Sequence, residues 1–250
     1  MRWAKSVLGA VVVVPAILTG CGGDKQPELT VAAAASLRTA FEAYAEQFAD
    51  ARVRLTFAGS DALAAQIRQG VRPDVYAAAN TELPDALHAE GLIEAPTAFG
   101  INSLVLAVPS ESQIESVADL GRPGTTIAVG SPSVPVGAYT HEALRGLPDG
   151  GAAILKNVRS EEPSVAGIIG KLTQGAADAG LVYSSDVEAT GGALRAIALP
   201  PDLQPGISYS AATVAETESP DLARRFIDGL LRGMGAGALR DAGFAAPLTP

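Results

Sequence analysis

Ser36 and Ser60 are the residues from which chemistry could start. Each stands alone after an apolar, strand-like run, in "VAAAASLRTAF" (31–41) and "LTFAGSDALAAQI" (55–67), and a helical pattern follows each. A serine between strand and helix sits at the natural N-cap, where its oxygen accepts a backbone N–H and contributes about 1 kcal/mol. The same hydroxyl can instead face outward and donate to an anion, joined by free amides and the positive end of the helix dipole. Three further stretches offer neutral donors. "AVGSPSVPVGAYTHEAL" (128–144) opens a helix at Pro135-Val136-Gly137. Proline suits a first turn because the N–H it lacks would be unpaired there, and the Val136 amide stays free. "SEEPSVAGIIGKL" (160–172) repeats the arrangement with Pro163, Ser164 and Val165. "AGLVYSSDV" (179–187) ends a strand on Tyr183, whose phenol is either a donor at a pocket wall or a half-buried strand-end aromatic.

The usual enzymatic constellations are missing around these residues. The two histidines, His88 and His141, fall in helix-like segments beside charged residues and read as solvated positions. No His-x-x-x-His or Cys-x-x-Cys spacing supports zinc. None of the four lysines follows a serine by three residues, and "AGSDA" has only one glycine of the Gly-x-Ser-x-Gly elbow. A phosphate loop ending in Gly-Lys-Ser/Thr is also missing. An exported serine hydrolase would have to bring His88 or His141 to Ser36 or Ser60 from a helix face.

The elements that must position these donors alternate between strand and helix. Strands are expected at Leu29–Ala35, Val53–Ala58, Asp74–Ala79, Asn102–Val108, Thr126–Gly130, Val158–Ser160, Ala179–Tyr183 and Leu194–Ala198, with 207–215 extended. Helices are expected over 37–48, Asp61–Gln69, Leu83–Glu90, Gly137–Arg145, Val165–Gln174 and Pro220–Arg232, then a shorter one. Such alternation means an α/β fold with mainly parallel sheets. The length suits two lobes. The lobe change is placed near Asn102–Val108 and the return near Tyr209–Val214, a two-crossing hinge. Lobe I is then 29–104 with 212–250, and lobe II 105–211. In open α/β sheets ligands sit at the carboxyl ends of strands, where both serines lie.

Residues 1–21, "MRWAKSVLGAVVVVPAILTGC", read as a secretory leader with Arg2 and Lys5 ahead of a short apolar core. Pro15 and the short uncharged run argue against a membrane span. Leu18-Thr19-Gly20-Cys21 looks like a bacterial lipobox, and Cys21, the only cysteine, has no intrachain disulfide partner. Lipidation of Cys21 would tether the chain to the outer face of the cytoplasmic membrane. Residues 22–28 form a polar linker. Without Arg2 and Lys5 there remain 16 basic and 27 acidic residues, a net charge of −11, which excludes a basic nucleic-acid surface. The remainder is long enough to bury roughly 70–75% of its unfolded surface in a core.

Read together, "AAASL", Phe57-Ala58 through Gln66-Ile67, "PDVYAAA", "NSLVLAVP", "IAVGSPSVPVGAYTHEAL" and "AGLVYSSDV" resemble periplasmic molybdate-binding proteins of ABC transporters in order and spacing. The resemblance runs from about Leu29 to "DAGF" (241–244). It implies a type II periplasmic-binding-protein fold whose two α/β lobes close on a tetrahedral dianion. It places the binding serines at Ser36 and Ser60, the binding amides at Val136 and Val165, and the binding hydroxyl at Tyr183. It also implies a monomer that delivers its ion to a membrane permease, with no cofactor, catalytic step or direct metal ligand. Ala166 stands where the family commonly has arginine, Ala78-Ala79-Asn80 replaces its Ser-Ala-Asp, and Val136 replaces alanine. Neutral donors select acceptor-only ions, because hydrogen phosphate would leave two donors facing each other at a cost of about 1–3 kcal/mol. Sulfate is too small to reach all donors, while molybdate and tungstate are nearly the same size. Another oxyanion, sulfate or phosphate, is the alternative within this fold. Ferric iron would want paired tyrosines, and only Tyr183 of the five is well placed.

Overall fold

The structure, a computed structural model, describes residues 26–147 and 150–247. The leader with Cys21, and the linker up to Lys25, lie outside the described residues.

Strand β1 (Glu28–Ala34) passes through a 3-10 turn (Ala35–Leu37) into helix α1 (Arg38–Gln47). Then follow β2 (Arg52–Ala58), α2 (Ser60–Arg68), β3 (Val75–Ala78), α3 (Glu82–Ala89) and β4 (Thr97–Asn102). The second series is β5 (Leu104–Pro109), β6 (Ile127–Gly130), α4 (Pro135–Arg145), α5 (Gly150–Leu155), β7 (Val158–Glu162), α6 (Val165–Thr173), β8 (Ala179–Tyr183), α7 (Ser184–Glu188) and β9 (Leu194–Ala198). The chain ends on β10 (Ile207–Thr213), α8 (Pro220–Arg232) and α9 (Met234–Asp241).

Two five-stranded sheets result, ordered β2-β1-β3-β10-β4 and β7-β6-β8-β5-β9. This is the expected two-lobed α/β architecture, but the sheets are mixed rather than mainly parallel. In each, three parallel strands adjoin an antiparallel pair. The antiparallel strands arise because the chain changes lobe by running straight on from one sheet into the other. The run expected as one strand, Asn102–Val108, therefore divides at Ser103, with β4 in the first sheet and β5 in the second. The return falls earlier than Tyr209–Val214: β10 pairs along its length with β3 and β4, so residues 199–206 make the crossing. Gln204 braces the two crossings, accepting from the Leu104 amide at 3.2 Å and donating to the Leu104 carbonyl at 2.7 Å.

The first lobe is assembled from both ends of the chain. α8 and α9 close over α1 through a ring cluster in which Phe226 meets Tyr44 at 4.6 Å, Phe48 at 5.4 Å and Phe41 at 5.7 Å between centroids. Such rings dominate core energetics because each buries 150–250 Å², about twice a small aliphatic side chain. Arg52 and Arg54 point outward from edge strand β2, as charges that discourage pairing with another chain.

Candidate functional site

The register of β1 and β2 builds the first half of the site. Ala34 lies opposite Ala58, so Ser36 and Ser60 emerge level, two residues past the ends of neighbouring strands. Neither serine is an N-cap. Ala34 caps the 3-10 turn and Gly59 caps α2, so Ser36 lies two steps inside and Ser60 one, and neither cap position makes a side-chain cap bond. Their hydroxyls are engaged elsewhere. Ser36 Oγ lies 2.9 Å from Tyr209 Oη, and Ser60 Oγ accepts from the Ala79 amide at 3.1 Å. Both serines are buried. Gly59 has no room for a side chain, because a Cβ there would collide with the Pro163 carbonyl oxygen across the cleft.

The second lobe answers with helix starts. Pro135 is the first residue of α4 and Val136 the second, while Val165 opens α6. Amides in a helical first turn have no intrahelical acceptor, so those of Val136 and Val165 are free to face a ligand. Val136 lies at the cavity wall with a branched side chain. It packs over Gly130 at the end of β6, where any Cβ would meet its Cγ1 at 2.6 Å. Tyr183 ends β8, 1% exposed, and its Oη is buried with no hydrogen-bond partner.

All five residues, Ser36, Ser60, Val136, Val165 and Tyr183, line one small cavity between the lobes. About 20 Å³ is open there to the centre of a water molecule. A water needs roughly 10–15 Å³ by this measure, so the space suits one compact ion. No lysine, arginine or histidine lines it, and the described residues contain no cluster able to hold a metal ion. His88 is exposed on α3 and bonds the Ile93 carbonyl, while His141 lines a different cavity on α4. Neither can serve as base to Ser36 or Ser60 in this arrangement. The site holds donors rather than anions: burial, reinforced by the neighbouring Tyr209 and Tyr139 phenols and Asp186, pushes the Tyr183 hydroxyl well above its ordinary value and keeps it protonated.

Several residues around the cavity escaped sequence reasoning. Tyr209, fully buried, packs edge-on against Tyr183 at 5.7 Å and Phe244 at 5.2 Å while bonding Ser36. Period-two alternation along "ISYSAATVA" marks Tyr209 as inward, but not what its hydroxyl meets. Asn102 ties the hinge, accepting from Ser184 Oγ and the Ser103 amide at 2.8 Å and donating to Ser185 Oγ at 2.8 Å. Of the departures from the expected pattern, Ala79 supplies the amide that holds Ser60, and Asn80 accepts from Ser210 Oγ through its carbonyl at 3.1 Å. Ala166 borders an adjoining cavity of about 180 Å³ together with Asp186, whose Oδ2 is buried and unpartnered.

Comparison with known proteins sets this geometry in context. The sequence profile of the family described as bacterial extracellular solute-binding protein matches residues 29–245. The molybdate-binding protein ModA of Mycobacterium tuberculosis is 35% identical over 266 residues, covering 99% of this chain and 100% of that protein. Among solved structures, the periplasmic molybdate-binding protein of Azotobacter vinelandii superposes with a TM-score of 0.77 at 21% identity, covering 88% of this chain and 99% of that one. The sulfate-binding protein SubI of Mycobacterium tuberculosis reaches the same TM-score at 18% identity, covering 90% and 88%. At those identities the two superpositions establish the fold and leave the ion open.

Proposed function

Because the chain belongs to the bacterial extracellular solute-binding protein family, we propose that it captures molybdate, or tungstate, between its lobes and delivers the ion to a membrane ABC transporter. It is a binding protein, not an enzyme, and needs no cofactor. The observation that carries the reading is the convergence of Ser36, Ser60, Val136, Val165 and Tyr183, from both lobes, on one ion-sized cavity without a charged side chain. The molybdate-binding name of the 35% identical relative points to the same ion.

Binding then follows from hydrogen bonding and closure. Ser36 and Ser60 donate from the first lobe, and the Val136 and Val165 amides and the Tyr183 hydroxyl donate from the second. No lobe alone presents enough donors to replace the water around a dianion, so the ion itself favours the closed form. Contacts across the cleft, Gly59 against Pro163 and Ser133 Oγ donating to Asp61 Oδ2 at 3.4 Å, support reading this conformation as the closed one. The hinge crossings braced by Gln204 are where opening would occur.

A thermal-shift panel tests the ion class. Binding to the folded state alone adds about 2.7 kcal/mol at a hundredfold excess over the dissociation constant. Molybdate and tungstate should raise the melting temperature, and sulfate and phosphate should not. A shift with sulfate alone would overturn the assignment in favour of the sulfate reading. We further propose that Cys21 carries a lipid anchor and that the protein acts as a monomer at the outer face of the cytoplasmic membrane. Release of Cys21→Ala into the soluble fraction would test the anchor, and sedimentation would test the monomer.

A further inference from the structure

Beside the ion cavity the cleft holds a second space of about 180 Å³, and Ala35 and Ser36 line both. Its roof belongs to the first lobe, as Ala35, Ser36, Arg38, Thr39 and Ala242. Its floor belongs to the second, as α6, α7 and the two residues after α7. Asp186 on α7 lines this space, and its Oδ2 is buried with no hydrogen-bond partner. Because the carboxyl sits on one lobe and the roof on the other, opening the cleft lifts the roof and admits water to Asp186.

Water solvates a carboxylate well, whereas a carboxylate enclosed without a partner is costly enough that the group keeps its proton instead. The elements packed around Asp186 bring no free cation to offset that cost. α1 brings Arg38, but its guanidinium bonds Glu42 at 3.1 Å and lies over the Phe57 ring at 4.4 Å. The one charged residue of α6 is Lys171, 3.9 Å from Glu162. α7 itself adds Glu188, and the end of α9 adds Arg240 and Asp241, all three exposed. β8, β10 and α4 add the phenols of Tyr183, Tyr209 and Tyr139, which burial holds above their ordinary value and uncharged. A backbone bond from Tyr183 favours the carboxylate, but burial outweighs it and pushes the Asp186 carboxyl up to about 7.

We infer that closing the cleft over the ion takes up one proton from solvent at Asp186, and that opening returns it, so capture is coupled to pH through a carboxyl outside the ion's donor set. Resting on the oxyanion reading above, and on this conformation being the closed one, the coupling has a defined sign. The closed carboxyl keeps its proton to a higher pH than the open, hydrated one. The advantage to the closed form is therefore full below the open-state value, near the ordinary 3.8, and is lost as pH rises from there to about 7. Within that window ion affinity falls by up to about tenfold per pH unit.

Calorimetric titration of molybdate into wild type and Asp186→Asn, repeated in buffers of different ionisation enthalpy, counts the protons. For wild type, close to one proton per ion should enter at about pH 6 and about a tenth of one at about pH 8, with affinity about tenfold weaker at the higher pH. Asp186→Asn should bind with no proton exchange and with one affinity at both pH values, which a merely structural role for Asp186 would not reproduce. Molybdate binding by wild type without proton uptake, or the same uptake in Asp186→Asn, overturns the coupling and leaves the oxyanion reading standing. If wild type binds neither molybdate nor tungstate, both fall. Should Asp186→Asn not fold, infrared difference spectra of wild type at about pH 6 give the answer. Adding molybdate must make the carbonyl band of a protonated carboxyl grow, and an unchanged band overturns the coupling.

Discussion

The two lobes share a strand order and differ in nearly everything that fills it. All six phenylalanines lie in the first lobe, where Phe41, Phe48, Phe99 and Phe226 join the chain's beginning to α8. The second lobe is built from one continuous run, and its buried strands and helices carry Leu106, Ile127, Val129, Ile168, Leu172 and Leu181. Their donors differ in the same sense. The first lobe offers side-chain hydroxyls that neighbours must orient, whereas the second offers mainly amides that the start of a helix orients by itself. In the proposed site one fold thus meets a single requirement, neutral donors around a shared cavity, in two ways. One way is open to side-chain substitution, and the other yields only to changes of backbone.

That contrast can be broken most severely from the first lobe. Ser36→Ala with Ser60→Ala should remove about 3–6 kcal/mol of binding, two bonds to a charged acceptor, or roughly 10²–10⁴ in molybdate affinity. Calorimetry would read the loss, and an unchanged circular dichroism spectrum would show that the fold survives. In the second lobe the matching experiment must delete an N–H. Val165→Pro should be accommodated, because Val165 is the first helical residue and Ser164 before it is extended at φ −164° and ψ 164°. It is expected to weaken binding roughly ten- to a hundredfold, one charge-assisted bond, while Val165→Ala stays near wild type. Equal effects of the two substitutions would refute the backbone assignment.

A smaller effect concerns the acid behind the site. Burial pushes the Asp186 carboxyl up to about 7 from 3.8, with a backbone bond from Tyr183 opposing. The fold therefore favours the protonated acid. Its contribution is fully present below about pH 4, is lost as pH rises toward 7, and above that the buried charge opposes folding. Asp186→Asn should accordingly raise the melting temperature at about pH 8, with the gain shrinking to nothing near pH 4. A gain independent of pH would assign the effect to packing instead. The smallest change is expected from Val136→Ala, which removes two methyl groups from Gly130 and keeps the amide. Molybdate affinity should stay within about twofold, since the contact proposed for Val136 is its N–H, although some packing stability is lost.

Much of the architecture was legible because it is locally encoded. β8, β9 and α8 fall where periodicity and the helix-opening Pro220 place them, and all five expected site residues reach one cavity. The misread places share a cause. Asn102–Val108 looks like one strand because nothing local marks a change of sheet at Ser103. Ser36 and Ser60 look like caps because serine favours that position, but Ala34 and Gly59 occupy it here. The short α7 is absent from the expectation because five residues carry too little periodicity to register.

From the sequence alone came the alternation of strand and helix, the neutral character of the donors, and the absence of the charged or nucleophilic groups that other functions need. These depend on residue type and spacing over a few positions, which the chain carries in any conformation. Only the tertiary structure decided which way the donors face. Ser36 and Tyr209 are 173 positions apart, and Ser60 is held by an amide from another strand. A hydroxyl turns freely about its C–O bond until a partner fixes it, and here folding is what supplies the partner.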